Sequence, residues 1–478
     1  MRRTVTLERM PGVALITNAL GEFAFVSQRQ RELLESGALT QNDPRYLDME
    51  ARGLLIADGP RGALADAARR TRKSFLMDGP SLHIFVVTLR CDHSCQYCQV
   101  SRASLDAPGY DMSHDHARAA VDRVFESESV SPTIEFQGGE PSLRFDTVEH
   151  VVRYAEERAS DRGKSVRFTM ATTLHLLTEN QLVFCKEHKI HLSTSLDGPS
   201  LLHSEQRRIS TSDSHRRTLD GLSRARDVLG ANGVVALPTI TRNALKYPKE
   251  IVDTYVELGF TSIFLRPLAP YGFAKKTQAA LGYSVRDYLA FYETALDYIL
   301  QLNAEGIAIR EEMAAIMLRH ILTPFHSGYM DLRSPAGAGL GTLVYNYDGR
   351  VYPSDEARMA AETGDTRFAL GDVDTPLDEL LSSPAMRWLA AGAVAETQAD
   401  CAACAFVPYC GADPVFHAIT QGAPDAPRRG TAFCQRNTGL FQLLFSELME
   451  RDAEKMKTLY AWAFNQPRRA VRPGWIEQ

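Results

Sequence analysis

The sequence predicts an α/β protein: a partial, open (β/α)6 TIM-like barrel, preceded by a small α+β module and followed by a cysteine-rich domain. Three observations lead there. Between about residues 84 and 267, short β-type runs alternate with longer helical patterns. The units number six, too few for a closed eight-unit barrel. Seven of the eight cysteines fall into two groups, one inside the first unit and one beyond the last.

Residues 1–75 read as the α+β module. Gly12–Asn18 and Glu22–Val26, joined across Gly21, have the form of a hairpin. A helix over Arg29–Glu35 stops near Gly37, and a second follows over Pro44–Leu54. Residues 76–325 hold the barrel. Its strands are expected at His83–Leu89, Thr133–Phe136, Arg167–Thr172, His191–Ser195, Gly233–Ile240 and Ser262–Pro267. Most are rich in β-branched or aromatic residues and end in polar or turn residues. Helices are expected over Ser113–Glu126, Asp146–Arg158, His215–Leu229 and Pro248–Leu258, with Ser113 as an N-cap and Asp115 in the first turn. Such βα units make a parallel sheet with helices outside. Functional residues then belong at the C-terminal ends of the strands. Residues 326–445 form the cysteine-rich domain, opening with hairpin strands in Leu332–Tyr352 that turn at Asp348-Gly349. Residues 446–478 close the chain, with Ala453 to Gln478 as a helix and tail.

Composition narrows the function classes. The 478 residues are 44% hydrophobic and 23% charged, with a net charge of −6. That balance gives no footprint for nucleic acid or an anionic membrane surface. No apolar run is long enough to span a bilayer, and the first residues lack the apolar core of a signal peptide. The expected location is cytoplasmic, where thiols stay reduced and clustered cysteines read as metal ligands.

The first cysteine group is Cys91-Asp-His-Ser-Cys95-Gln-Tyr-Cys98, directly after an apolar strand. It offers three thiolates. A four-iron cluster held by three leaves one iron open to a further ligand. The second group, Cys401-Ala-Ala-Cys404-Ala-Phe-Val-Pro-Tyr-Cys410 with Cys434 further on, offers four and would close its cluster. Zinc is the alternative at both. At the first, His93 lies where so short a loop would strain to use it. At the second, four cysteines suit a tetrahedral structural site. Cys185 reads as a buried core thiol.

The CxxxCxxC loop resembles the signature of the radical S-adenosylmethionine (SAM) superfamily. The resemblance implies that the amino and carboxylate groups of SAM chelate the open iron. One electron then breaks a carbon–sulfur bond, giving methionine and a 5′-deoxyadenosyl radical that abstracts hydrogen from substrate. Tyr97 matches the aromatic residue that packs near cluster and adenine; simple loop packing is its other reading. Gln137-Gly138-Gly139-Glu140-Pro141 matches the Gly-Gly-Glu motif that binds the methionine amino group. Ser193-Thr-Ser195-Leu-Asp197-Gly198-Pro199, with His203 and Arg207, resembles a stretch of the peptide-modifying branch. By that resemblance Ser195 contacts the ribose or carboxylate and Arg207 pairs with the methionine carboxylate; a solvated surface charge is the other reading of Arg207. Asn243 and Arg266 are further candidates of the same kind.

The C-terminal cysteines resemble the SPASM domain of radical SAM peptide maturases, whose full pattern has seven cysteines and two auxiliary clusters. Here Ala336, Ser354 and Pro414 stand at three of the seven positions. In the family those three serve the first auxiliary cluster. The resemblance therefore implies a single auxiliary cluster held by Cys401, Cys404, Cys410 and Cys434, and two 4Fe–4S clusters in all. Asp355 follows the vacated Ser354, where sulfatase-maturing relatives carry a proton-accepting aspartate; it is a candidate general base or a turn residue. The string Leu89 to Arg102 resembles the paired maturase of the His-Xaa-Ser peptide system. That implies a ribosomally made precursor peptide as substrate, a crosslink or other carbon-centred modification, and a second maturase subunit as partner. An electron donor such as flavodoxin or ferredoxin is also implied. Residues 1–75 are either a winged-helix-like element that takes a leader strand on its sheet edge or a cap packed on the barrel. Two other classes stay open: a radical enzyme acting on a folded protein or a small molecule, and a non-catalytic, zinc-stapled partner subunit.

Overall fold

The structure is a computed structural model that describes residues 2–40, 42–55, 71–450 and 452–466. Its centre is an eight-stranded sheet. Five barrel strands run in parallel: β4 (Leu82–Thr88), β5 (Thr133–Gly138), β6 (Arg167–Ala171), β7 (Ile190–Ser195) and β8 (Val234–Leu237). Period-two alternation sorts their side chains. Ile134 and Phe136 of β5 are buried in the main hydrophobic core, whereas Glu135 and Gln137 line a cavity inside the barrel. The helices between strands are capped as their sequence directs; Ser113 Oγ accepts from the His116 N–H at the start of His114–Val124.

The fifth and sixth expected strands are both broken. Val234–Leu237 stays on β7, but Pro238 has no N–H to continue the ladder. Beyond it, β9 (Thr239–Ile240) pairs with β11 (Arg266–Pro267), while β10 (Ser262–Ile263) pairs with β12 (Arg310–Glu311). The sixth unit thus leaves the main sheet, and the barrel stays open on that side.

On its other edge the sheet is extended by the cysteine-rich domain. β13 (Thr342–Tyr345) runs parallel to β4, with Thr342 opposite Leu82. It turns at Asp348-Gly349 into β14 (Arg350–Tyr352), and β15 (Gly371–Asp372) completes the order β15-β14-β13-β4-β5-β6-β7-β8. The first half of the expected hairpin, Leu332 to Gly341, is not strand. Pro335 removes a donor there, and its glycines favour the loop.

The N-terminal module is a three-stranded antiparallel sheet, β1 (Arg2–Thr6), β2 (Val13–Asn18) and β3 (Phe23–Ser27), followed by the helices Gln28–Glu35 and Tyr46–Ala51. β1, short and polar, was not expected. The module rests on the cysteine-rich domain: Thr17 Oγ1 donates to the Ala405 carbonyl (2.8 Å), Tyr409 Oη donates to the Gly21 carbonyl (3.0 Å), and Phe23 packs edge-on against Phe445 at 5.1 Å. It also meets the barrel region: Arg9 pairs with Glu293, Arg72 Nη1 donates to the His320 carbonyl (2.9 Å), and Leu7 and Leu15 join the main hydrophobic core. The helix Ala432–Glu450 carries Cys434 and runs past residue 445, so no break falls there; Ala453–Ala463 follows, and 467–478 lie outside the described residues.

β5 ends in the two glycines of the Gly-Gly-Glu motif. At Gly138, φ is +133°, and a Cβ would sit 1.9 Å from the Thr88 carbonyl oxygen; at Gly139 a Cβ would sit 2.2 Å from that of Arg90. Only glycine lets these two strand ends approach. Gly138→Ala is expected to destabilise the protein by about 2–3 kcal/mol, against about 1 kcal/mol for Gly12→Ala, whose positive φ is surrounded by open space. Chemical denaturation measures both. Equal losses would show that backbone conformation, not the β4–β5 contact, sets the cost.

Candidate active site

The C-terminal ends of β4 to β7 open on a cavity of about 240 Å3. Cys91, Cys95 and Cys98 form one wall, on the loop after β4. Backbone hydrogen bonds fix that loop from three directions. Cys91 N–H donates to the Ala103 carbonyl (3.1 Å), Gln96 N–H to that of Gln206 (3.0 Å), and Phe273 N–H to that of Cys98 (2.9 Å). The His93 imidazole turns away to Asp92, 2.9 Å from Nδ1, and Asp92 Oδ2 lies 2.9 Å from His175 Nε2. Burial alone would raise the Asp92 pKa, but the two histidines hold it well below the usual carboxylate range.

Tyr97, on the same loop, makes a buried network with Asp197 and Arg207. Tyr97 Oη donates to Asp197 (2.7 Å to Oδ2), and Arg207 Nη1 donates to Tyr97 Oη (2.9 Å). Asp197 also accepts from the Thr239 N–H at 3.1 Å, which anchors the stretch beyond Pro238. Burial disfavours charge on Arg207, yet Cys95, Tyr97 and Asp197 together hold its pKa well above the usual value. Asp197 lay within the quoted motif, but its role was not legible. Only the fold brings it under Tyr97, a hundred residues away in the chain.

Gly138, Gly139, Glu140 and Ser195 line the same cavity. The Glu140 carboxylate is already engaged: it accepts from Thr172 Oγ1, the Thr173 N–H and the Ser142 N–H at 2.7, 2.7 and 3.0 Å. It ties β5 to the end of β6, while the glycine backbone borders the cavity. Arg266 reaches the wall as well. Asn243 does not. Its Nδ2 donates to Glu205 (2.8 Å) outside the cavity, because the strand that was to deliver it ends at Ile240. Asp355, in the first turn of the helix Asp355–Ala361, lines the cavity and accepts from Arg358 Nη2 at 2.9 Å. Fully buried Arg358 also donates to the Val100 carbonyl (3.0 Å), linking Asp355 to the cysteine loop.

Cys401, Cys404, Cys410 and Cys434 line a separate cavity of about 390 Å3. Asn437 Nδ2 donates to Cys410 Sγ (3.6 Å), and buried Arg428 donates to the Ala412, Gly392 and Pro424 carbonyls around it. Burial pushes the Cys95 thiol up to about 11 and Cys410 to about 12, so capture of metal must displace protons there. Ala336, Ser354 and Pro414 line a further cavity of about 360 Å3 that shares Glu135, Gln137, Arg266 and Asp355 with the first. Ser354 and Pro414 occupy the N-cap and first position of two helices.

Among the described residues, neither cysteine group gathers three sulfurs within 4.8 Å of one another. Tetrahedral zinc holds its sulfurs about 3.8 Å apart at bonds of ~2.3 Å. Among the described residues, only Cys91, Asp92 and His93 bring three such ligand atoms within 4.8 Å of one another. Orphaned polar atoms mark the first cavity as a ligand site: Arg207 Nε, Thr173 Oγ1 and Thr194 Oγ1 are buried without a partner.

Fold and site together resemble those of a radical SAM domain. Residues 85–264 match the family model described as the Radical SAM superfamily. The superfamily implies an enzyme with a 4Fe–4S cluster and SAM. The chain is 26% identical over 195 residues to an uncharacterized protein of Methanocaldococcus jannaschii, covering 41% of this chain and 65% of that one. It is 23% identical over 285 residues to a cysteine-type anaerobic sulfatase-maturating enzyme of Clostridium perfringens, covering 58% and 74%. Among solved structures it resembles anSMEcpe with bound AdoMet (TM-score 0.63, 19% identity, 77% of this chain and 98% of that one). It also resembles Streptococcus suis SuiB bound to precursor peptide SuiA (TM-score 0.54, 14% identity, 90% and 98%). Among the described residues no helix is long and apolar enough to cross a membrane.

The network predicts how SAM binding responds to mutation. Arg207→Lys keeps the charge but loses the planar fork and the bond to Tyr97. It is expected to weaken SAM about ten- to a hundredfold, the worth of a charged hydrogen bond. Equilibrium binding to the reconstituted protein measures this; unchanged affinity would remove Arg207 from the ligand's contacts.

Proposed function

We propose that the protein is a radical SAM maturase of a ribosomally made precursor peptide that modifies a side chain, forming a crosslink. The observation carrying this reading is one cavity lined by Cys91, Cys95, Cys98, Gly138, Gly139, Arg207 and Asp355. When bound at the three cysteines, the cluster and SAM supply a 5′-deoxyadenosyl radical that abstracts hydrogen from substrate. Arg207 offers its unpartnered Nε to the SAM carboxylate. The backbone at Gly138 and Gly139 offers close approach to the amino group, and Ser195 lines the place for the rest of the ligand. Asp355, held by Arg358 beside the cysteine loop, would take the proton lost when the substrate radical closes a bond, and the electron released in the same step would pass to the auxiliary cluster. The four cysteines 401, 404, 410 and 434, which line one cavity, would hold one auxiliary cluster.

A peptide substrate is supported by likeness to SuiB, described with a precursor peptide bound, and to anSMEcpe, described with the Cp18Cys peptide bound. The N-terminal sheet on the cysteine-rich domain would receive the leader along edge strand β3, and a second maturase subunit would assist. The working location is the cytoplasm, with a flavodoxin or ferredoxin as electron donor. Modification of a folded protein is the second reading, favoured by the sulfatase-maturating relative.

Anaerobic reconstitution should give about eight irons, and Cys91, Cys95 and Cys98 changed together to Ala should leave about four. About four irons with stoichiometric zinc in the parent would assign a zinc staple instead. Given reductant, the holoenzyme should make 5′-deoxyadenosine, and coexpression with small leader-bearing peptides should yield a mass change; deoxyadenosine production with no modified peptide but a modified folded protein would favour the second reading.

Asp355→Asn should retain both clusters and deoxyadenosine production while peptide product per deoxyadenosine falls about 10²–10⁴-fold. Arg358 keeps its bond to Val100 in that variant, so the loop stays tied. Product yield matching the parent would make Asp355 a structural residue.

A further inference from the structure

We propose that the N-terminal strand β1 is part of the second cysteine centre: Arg3 supplies positive charge, and a hydrogen bond from Nη1, to an auxiliary cluster held by Cys401, Cys404, Cys410 and Cys434. This rests on the auxiliary-cluster reading above. Thr4 and Val5 of β1 line the same cavity as the four cysteines. The chain just beyond the strand stays in touch with it. The Glu8 N–H donates to Gln442 Oε1 (3.1 Å), and Gln442 is a further lining residue.

Sheet register delivers the contact. Arg3 on β1 lies opposite Thr17 on β2, and directly opposed residues point to one face. Both side chains reach the loop that carries Cys404. Arg3 Nε donates to the Ala402 carbonyl (2.7 Å), and Thr17 Oγ1 donates to that of Ala405 (2.8 Å). Ala402 and Ala405 bracket Cys404, so a cross-strand pair grips the chain on both sides of one cysteine.

An arginine is costly in this position. Arg3 is only 8% exposed, Nη1 is buried without a partner, and Nε is spent on a neutral carbonyl. A buried cation needs an anion. No carboxylate among the described residues pairs with Arg3. Asp400, the acid of the cavity wall, already accepts from the Arg428 and Arg429 N–H groups at 2.8 and 3.1 Å. Arg428 lines the same cavity and is buried likewise, with Nε unpartnered, so two buried cations border one cysteine centre. The source of negative charge there is the cysteines. Four thiolates outweigh the charge of an iron–sulfur core, and reduction adds one electron more. A guanidinium beside Cys404 therefore favours the reduced form over the oxidised one and raises the potential of the centre. Thr17 grips the same loop without a charge, which makes the two effects separable.

The test uses the full chain with Cys91, Cys95 and Cys98 changed to Ala, which isolates the second centre, after anaerobic reconstitution. The midpoint potential is read by redox titration followed by electron paramagnetic resonance. Arg3→Met keeps an apolar stem without the charge. At a fixed applied potential it should lower the reduced-to-oxidised ratio at least about tenfold, which is about 59 mV for a one-electron centre. Arg3→Lys should restore most of that ratio. Thr17→Val should keep the parent's potential and iron content while lowering the thermal midpoint. An unshifted potential in Arg3→Met, or equal shifts in Arg3→Met and Thr17→Val, would overturn the proposal. If Arg3→Met holds no iron, Arg3→Lys decides: iron and potential near the parent's support the role of the charge, and loss of iron there too overturns it. Stoichiometric zinc in place of iron in the background protein would sink the auxiliary-cluster reading itself, whereas iron present without the Arg3 shift sinks this inference alone.

Discussion

The close contact between the ends of β4 and β5 sets the geometry on which the site depends. Gly139 N–H donates to the Thr88 carbonyl (2.8 Å) and Glu140 N–H to that of Arg90 (2.9 Å). Those bonds require two positions without a Cβ. They bring the glycine turn against the root of the cysteine loop, one residue before Cys91. Glu140 then reaches across to Thr172 and Thr173, so three strand ends are joined by backbone and one carboxylate. A soft loop carrying three cysteines is in this way held by rigid strands.

Charge is distributed around that frame with different purposes. Arg207 sits among Asp197, Tyr97 and Cys95, which keep it charged in a buried place and leave one nitrogen unpartnered. Such a group is poised for an anion. Across the cavity the sign reverses: Glu135, Asp355, Glu356, Asp413 and Asp331 make the wall toward the cysteine-rich domain acidic. The boundary between the two regions is Arg266, which lines both cavities.

The cysteine-rich domain is less separate than its composition implies. β13 pairs with β4, so its hairpin is part of the barrel sheet and carries Ser354 and Asp355 to the barrel mouth. The N-terminal sheet packs on the same domain through Thr17, Phe23 and Tyr409.

Much of this was legible in the sequence, because it is set by local rules. Strand runs, the Ser113 cap, the Asp348-Gly349 turn and both cysteine spacings each depend on residues a few positions apart. Tertiary structure decided the rest. Pro238 broke a run that composition read as continuous, and Asn243 consequently fell outside the cavity. The placement of Asp197 beneath Tyr97, the β13–β4 pairing, and the gathering of Asp331, Glu356 and Asp413 on one wall all join residues far apart in the chain. Periodicity carries no record of such long-range partners; they exist only once the strands have been ordered and their ends brought together.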